Sequence, residues 1–286
     1  MAKTSLVSRI SSPRILRIVM LVPFLIYTIY AAGPFIWTFI LSLRSNSEIS
    51  INHYALPTQL HFEHYVNAFK EFGFGLYFFN SIIVTSCALV LITITASMAA
   101  FIFSRPRFNF PLREALFLMI FLAIMFPPQI MILALFQLMV KYHLYNTRLG
   151  LILVYAATEL PLAIYLLRAF YAQIPQDLED AAYLDGCNDL KLFWYVMFPI
   201  ARPAVSTVLI LNLIRFWNEF LYASVLMTKN EVRTLPLALM FFLGEQYQDI
   251  SMLASGLMIA SLPIIIIYII FSEKFIEGMT AGALTG

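Results

Sequence analysis

The 286-residue chain is 61% hydrophobic and 12% charged, with a mean hydropathy of +0.84 and a formal net charge of +2. Soluble domains carry about a quarter of their residues as charges and roughly half as apolar ones, so this composition excludes a soluble enzyme or binding module and points to an integral membrane protein. The small net charge, with no basic cluster interleaved with aromatics, excludes a nucleic-acid surface.

Residues 1–17 are polar and carry Lys3, Arg9, Arg14 and Arg17 without an acid. The apolar run 18–43 that follows exceeds the roughly 7–15 residues of a signal-peptide core, so it reads as an uncleaved span bent at Pro23 and Pro34. Residues 44–75 are polar and spotted with aromatics. His61 and His64 lie three apart there, near His53, but no Cys or third close ligand joins them, so a solvated or interfacial segment is expected rather than a metal site. The second span, 76–103, is dotted with Ser81, Thr85, Thr93, Thr95, Ala96, Ser97, Ala99 and Ala100, small residues that let helices approach closely inside a bundle.

A short basic connection with Arg105, Arg107 and Arg113 leads to a third apolar stretch, 114–140, which Pro127-Pro128 should end or kink, sending 129–140 off at an angle. The fourth, fifth and sixth spans are read at 150–171, 203–227 and 252–271. Residues 228–250 read as a polar connection with aromatics. The tail, 272–286, holds Gly278, Gly282 and Gly286, which give it little tendency to a stable helix. Cys87 lies in an apolar run and Cys187 in a polar loop, so no disulfide is expected.

Six spans put eleven basic residues on one side, with both termini, and six on the other; Arg215 lies within a span. Basic residues favour the cytoplasmic side. The expectation is an all-α polytopic protein with both termini cytoplasmic: a segment 1–17, a first helix with its outer loop over 18–75, a core 76–271 and a tail 272–286.

The cytoplasmic loop 172–202 is long and acidic. Pro175 suits the start of a helix over 176–184, and Asp177, Glu179 and Asp180 favour the positive end of its dipole. Gly186, after Asp185, can take the left-handed conformation that stops a helix, and Asn188 can cap a second one running to about Phe198, before Pro199. The result is a helix–turn–helix elbow. Ala181 and Ala182 keep its first helix slim, and its acids offer counter-charges to a basic cleft.

Asp180-Ala181-Ala182, three residues, Gly186, nine residues and then Val196-Met197-Phe198-Pro199 resembles the EAA loop of ABC importer permeases, with Asp180 where the pattern usually has Glu. Phe216-Trp217-Asn218-Glu219-Phe220, Arg233-Thr234-Leu235-Pro236 and 277–283 resemble the carbohydrate branch, in particular the maltose-type second permease subunit. The resemblance implies a type I importer transmembrane domain in a bacterial inner or plasma membrane. It implies a second homologous permease subunit, two ATPase subunits that receive EAA loops, an extracytoplasmic solute-binding protein and a carbohydrate substrate in the lipid bilayer. Glu179, Asp180, Ala181, Ala182, Asp185, Gly186 and Pro199 would then form the ATPase-coupling loop. For the tail, whose glycines allow disorder, the resemblance implies instead a reach toward the ATPase interface. The chain has no GxxxxGK[ST] phosphate loop, so no cofactor is expected on it, and MgATP would sit on the partner ATPases rather than make this chain an enzyme.

Glu159, Arg215, Asn218 and Glu219 fall in or near apolar runs, where unpaired charge is costly. Arg215 and Glu219 are four apart and are expected to pair on one helix face as an interhelical clamp or anchor; the alternative is a lining of the sugar path. Asn218 suits lining better, because amides hydrogen-bond sugar hydroxyls. Phe78, Phe79, Trp217 and Tyr222 could stack on sugars, though packing is the commoner use of such rings. The reading is a sugar or oligosaccharide importer permease. Its alternatives are the same class for a polyol or glycerol phosphate, and a stand-alone secondary transporter relying on Glu159.

Overall fold

The computed structural model describes residues 13–70, 73–245 and 249–283. Among them no strand forms, and four helices are long and apolar enough to cross a membrane, or up to six if each of two bent helix pairs is one span. The chain divides into two compact units, residues 1–72 with 243–259 and residues 73–242 with 260–286.

In the first unit α1 (Pro13–Ser42) runs through Pro23 and Pro34 for 30 residues, roughly 45 Å against a hydrocarbon core of about 30 Å. Two short helices follow, α2 (Asn46–Ile51) and α3 (Glu63–Lys70). Buried Arg44 closes the end of α2, donating to the carbonyls of Glu48 (2.8 Å), Asn52 (2.6 Å) and His53 (3.1 Å). Glu48 completes a capping box with Ser45 and accepts from the Thr58 hydroxyl. His61 meets Glu63 (2.5 Å) and lies near His64 (5.5 Å between rings); among the described residues no cluster of three metal-ligating groups forms. The first turns of α13 (Ile250–Ala283) belong to this unit, with Ser251 bonded to Asn46.

The second unit is built on α4 (Phe74–Ser104) against α7 (Arg148–Tyr171). Val84, Ala88, Ile92, Ala96 and Ala100 recur every four residues on α4 and are all fully buried. This stripe of mostly small side chains lets α7 approach closely with Leu151, Val154, Ile164 and Leu167. The Ser, Thr and Ala content of the second span thus translates into packing. Gly150 fixes where α7 begins: Thr147 caps it through the Gly150 amide (3.0 Å), and a Cβ on Gly150 would lie 2.3 Å from the Leu144 carbonyl oxygen.

The third stretch breaks where the prolines lie. Here α5 (Arg113–Leu122), extended by the turn Ala123–Met125, meets α6 (Pro128–Lys141) at 107°. Pro128 opens α6, where its missing N–H costs nothing. Each arm is only about 20 Å long, too short to cross the core alone.

After α7 come the loop helices α8 (Asp177–Leu184) and α9 (Asp189–Ile200), and then α10 (Arg202–Trp217), bent 76° from α9. Contrary to expectation the fifth stretch is not one helix. It stops at Trp217 and restarts as α11 (Leu221–Leu226), because Glu219 turns back to cap the new helix. The polar connection 228–250 holds a further helix, α12 (Leu235–Glu245). Its start is held from α4: Ser81 accepts from the Leu235 amide (2.8 Å), and Asn80 donates to the carbonyls of Glu231 (3.0 Å) and Arg233 (2.9 Å). The α13 helix continues through the tail to Ala283, so Gly278 and Gly282 do not end it; extending an existing helix is far easier than starting one. Lys3, Arg9 and Gly286 lie outside the described residues.

Candidate functional site

The loop between α7 and α10 has the elbow shape its residues call for. Gly186 sits at φ +82°, its amide donates to Tyr183 O (3.0 Å), and the Cys187 amide donates to Ala182 O (3.0 Å). This is a Schellman stop. The Asn188 side chain caps α9 by accepting from the Lys191 amide (2.9 Å). A π-helical turn, Leu192–Met197, then places Leu192, Phe193 and Met197 in the core, and the helix runs on through Pro199 to Ile200 rather than stopping at Phe198.

The two faces of α8 differ. Asp177, Asp180, Ala181 and Leu184 follow helical spacing and are exposed, Leu184 by 90%. Glu179 and Ala182 face inward and are buried, so only one of the two alanines makes an outer surface slim. Asp185 and Gly186 are exposed at the tip, and Pro199 is half-buried. The exposed acid of the Asp-Ala-Ala triplet is therefore Asp180, while Glu179 forms a buried ion pair with Arg105 (Nε to Oε1 2.7 Å). Burial raises the Glu179 carboxyl from its ordinary value of 4.5, against the pull of Arg105, and burial lowers Arg105 in turn.

Arg107 braces the other end of α8, with its guanidinium 3.7 Å from the Tyr183 ring and 3.5 Å from Asp189. Tyr183 donates to Asp189 (2.7 Å); burial and that carboxylate push its phenol up to about 12, so it remains a donor. Sequence reasoning used Arg105 and Arg107 only to orient the chain. The signal was there in outline: two arginines directly after a small-residue span, and an acid on the α8 face shared with buried Ala182.

The second candidate region is the break between α10 and α11. The expected Arg215–Glu219 pair does not form: Arg215 pairs with Glu159 on α7. Once α10 ends at Trp217 the four-residue register is lost. Glu219 instead accepts from the Tyr155 hydroxyl (2.7 Å) and from the amides of Tyr222 (2.6 Å) and Ala223 (3.1 Å). Tyr155 stacks on Phe216 at 5.4 Å. Trp217 is buried, edge-on to Phe78 (5.7 Å) and donating to Ala260 O (2.9 Å), and Tyr222 is buried too, so both rings pack. Phe79 is exposed. Asn218 is exposed and donates to Ile214 O (2.9 Å). Glu159 lies halfway along α7, and the Arg215 side chain beside it is 53% exposed. Polar groups at that depth face protein or a water-filled space rather than lipid.

A profile of the family described as "binding-protein-dependent transport system inner membrane component" matches residues 92–273. The chain is 34% identical to the trehalose transport system permease protein of Mycobacterium tuberculosis, covering 90% of this chain and 93% of that one. It is 31% identical to the diacetylchitobiose uptake system permease protein of Streptomyces coelicolor, covering 90% and 85%. A chain of a bacterial ABC transporter involved in the import of the acidic polysaccharide alginate superposes with a TM-score of 0.80 at 26% identity, covering 93% of this chain and 98% of that chain.

Proposed function

The chain belongs to the family of binding-protein-dependent transport system inner membrane components and is a multi-pass cell-membrane protein, and on that premise we propose that it is the permease subunit of an ABC importer for a sugar or oligosaccharide. We take six spans, the third formed by the bent α5–α6 pair and the fifth by α10 with α11, and the excess of basic residues on the side of both termini supports placing them and the α7–α10 loop in the cytoplasm. A second permease subunit lies across the path. Two ATPase subunits hydrolyse MgATP, which this chain does not bind, and an extracytoplasmic binding protein delivers the sugar.

The observation that carries this reading is the α8 elbow. An exposed stripe of Asp180, Ala181 and Leu184, stopped at Gly186 and backed by a buried inner face, is a firm surface for another protein. Glu159, Asn218 and Phe79 are proposed to line the sugar path, Glu159 through its pair with exposed Arg215. Trp217 supports that region from within by packing. A stand-alone secondary transporter would need Glu159 as its own ion site, and its pairing with Arg215 argues against that.

The test is uptake in proteoliposomes holding this chain, its partner permease, the ATPases and the binding protein. Uptake that requires ATP and all partners supports the reading; uptake by this chain alone on an ion gradient would sink it.

A further inference from the structure

Arg105 follows the last residue of α4, is 2% exposed, and reaches three separate parts of the α7–α10 loop. Its Nε lies 2.7 Å from Glu179 on α8, its Nη1 donates to Ile174 O (2.9 Å) where the loop begins, and its Nη2 lies 4.0 Å from Met197 Sδ in the π-helical turn. Arg107, two residues on, holds Tyr183 and Asp189. Both ends of α8 are thus gripped from the end of one transmembrane helix. A buried ion pair is weak evidence for net stability, since apolar residues of like size often serve as well. The geometry that this pair fixes is the better account of it.

We propose that Arg105 is a positioning residue that locks the coupling loop to α4, so that a displacement of α8 tilts α4 as one body instead of flexing the loop. α4 is a suitable lever. It is a single unbroken helix, held along α7 by its Val84–Ala100 stripe, and its far end carries Asn80 and Ser81. Those two hold Glu231, Arg233 and Leu235, roughly 36 Å from the Arg105 end at 1.5 Å per residue. A push on α8 therefore reaches the segment before α12, on the opposite side of the membrane, through one helix pinned at both ends. The proposal rests on the reading that α8 docks on an ATP-driven subunit.

The experiment uses the complete transporter with Cys87 and Cys187 replaced by serine, and spin labels on cysteines introduced at exposed Val90 and Gln176. With Arg105 intact, the distance between labels should stay the same with and without bound nucleotide. In Arg105→Met the distribution should broaden, and sugar imported per ATP hydrolysed should fall at least tenfold while hydrolysis continues; Arg105→Lys should recover part of the coupling. A distance that changes with nucleotide in the unsubstituted chain would overturn the proposal. So would an Arg105→Met transporter with an unchanged sugar-to-ATP ratio. If Arg105→Met fails to assemble, the measurement on the unsubstituted chain decides alone. Failure of the unsubstituted chain to bind the ATPases removes the docking reading and this proposal together, whereas normal binding with a nucleotide-dependent distance removes only the role of Arg105.

Discussion

The Tyr155 hydroxyl on α7 donates to Glu219 Oε2 at 2.7 Å, joining one span to the break in another. The same carboxylate accepts the first free amides of α11, from Tyr222 and Ala223. Glu219→Ala strands these donors inside the bundle and should cost on the order of 2–3 kcal/mol. Glu219→Gln keeps an acceptor and should cost less, and Tyr155→Phe should cost about 1 kcal/mol. Thermal unfolding in detergent should rank the three in that order; equal midpoints for Ala and Gln would show that the cap contributes nothing.

Gly186 separates backbone conformation from bulk. A Cβ there meets nothing within 4 Å, yet φ is +82°. Gly186→Ala should cost about 1 kcal/mol and weaken ATPase co-purification modestly. Gly186→Pro cannot adopt the angle and removes the amide bonded to Tyr183, so docking should be abolished while membrane insertion stays normal. Co-purification of the ATPases with the proline variant at wild-type levels would show that the elbow is not the docking surface.

At Gly150 the opposite holds, because space is the constraint. The Leu144 carbonyl 2.3 Å from a built Cβ is backbone and must shift. Gly150→Ala should destabilise the α6–α7 turn by about 1–3 kcal/mol, read as a lower melting temperature and a lower yield of folded protein.

Asn218→Ala tests the path. Its amide is exposed at the break and donates to Ile214 O, four residues back. Loss of one sugar hydrogen bond should change the apparent affinity for transport by roughly 2- to 10-fold, with complex yield unchanged. Identical kinetics across several sugars would argue that the residue does not line the route.

Local signals carried much of the fold. Pro127-Pro128, Gly186 and Asn188 each act through their own backbone or that of the next few residues, and each does what its chemistry requires. The small-residue stripe on α4 was legible for the same reason. What sequence could not supply was choice among distant partners. Arg215 had Glu219 four residues away and pairs with Glu159 instead, since the helix ends between them. No Pro or Gly marks that end; Glu219 caps the restarting helix there and accepts from Tyr155 on a separate one. Likewise Glu179 read as one more acid for a basic cleft, because its burial depends on Arg105, on a separate helix.

Leu184 carries a last consequence. It stands 90% exposed as the last residue of α8, whose first turn carries Leu178, 43% exposed. On the proposed docking, a copy without its ATPase partner would leave this apolar side chain in the aqueous phase. Under that proposal the surface that takes up force in the assembled transporter is a liability for non-specific association until its partner covers it.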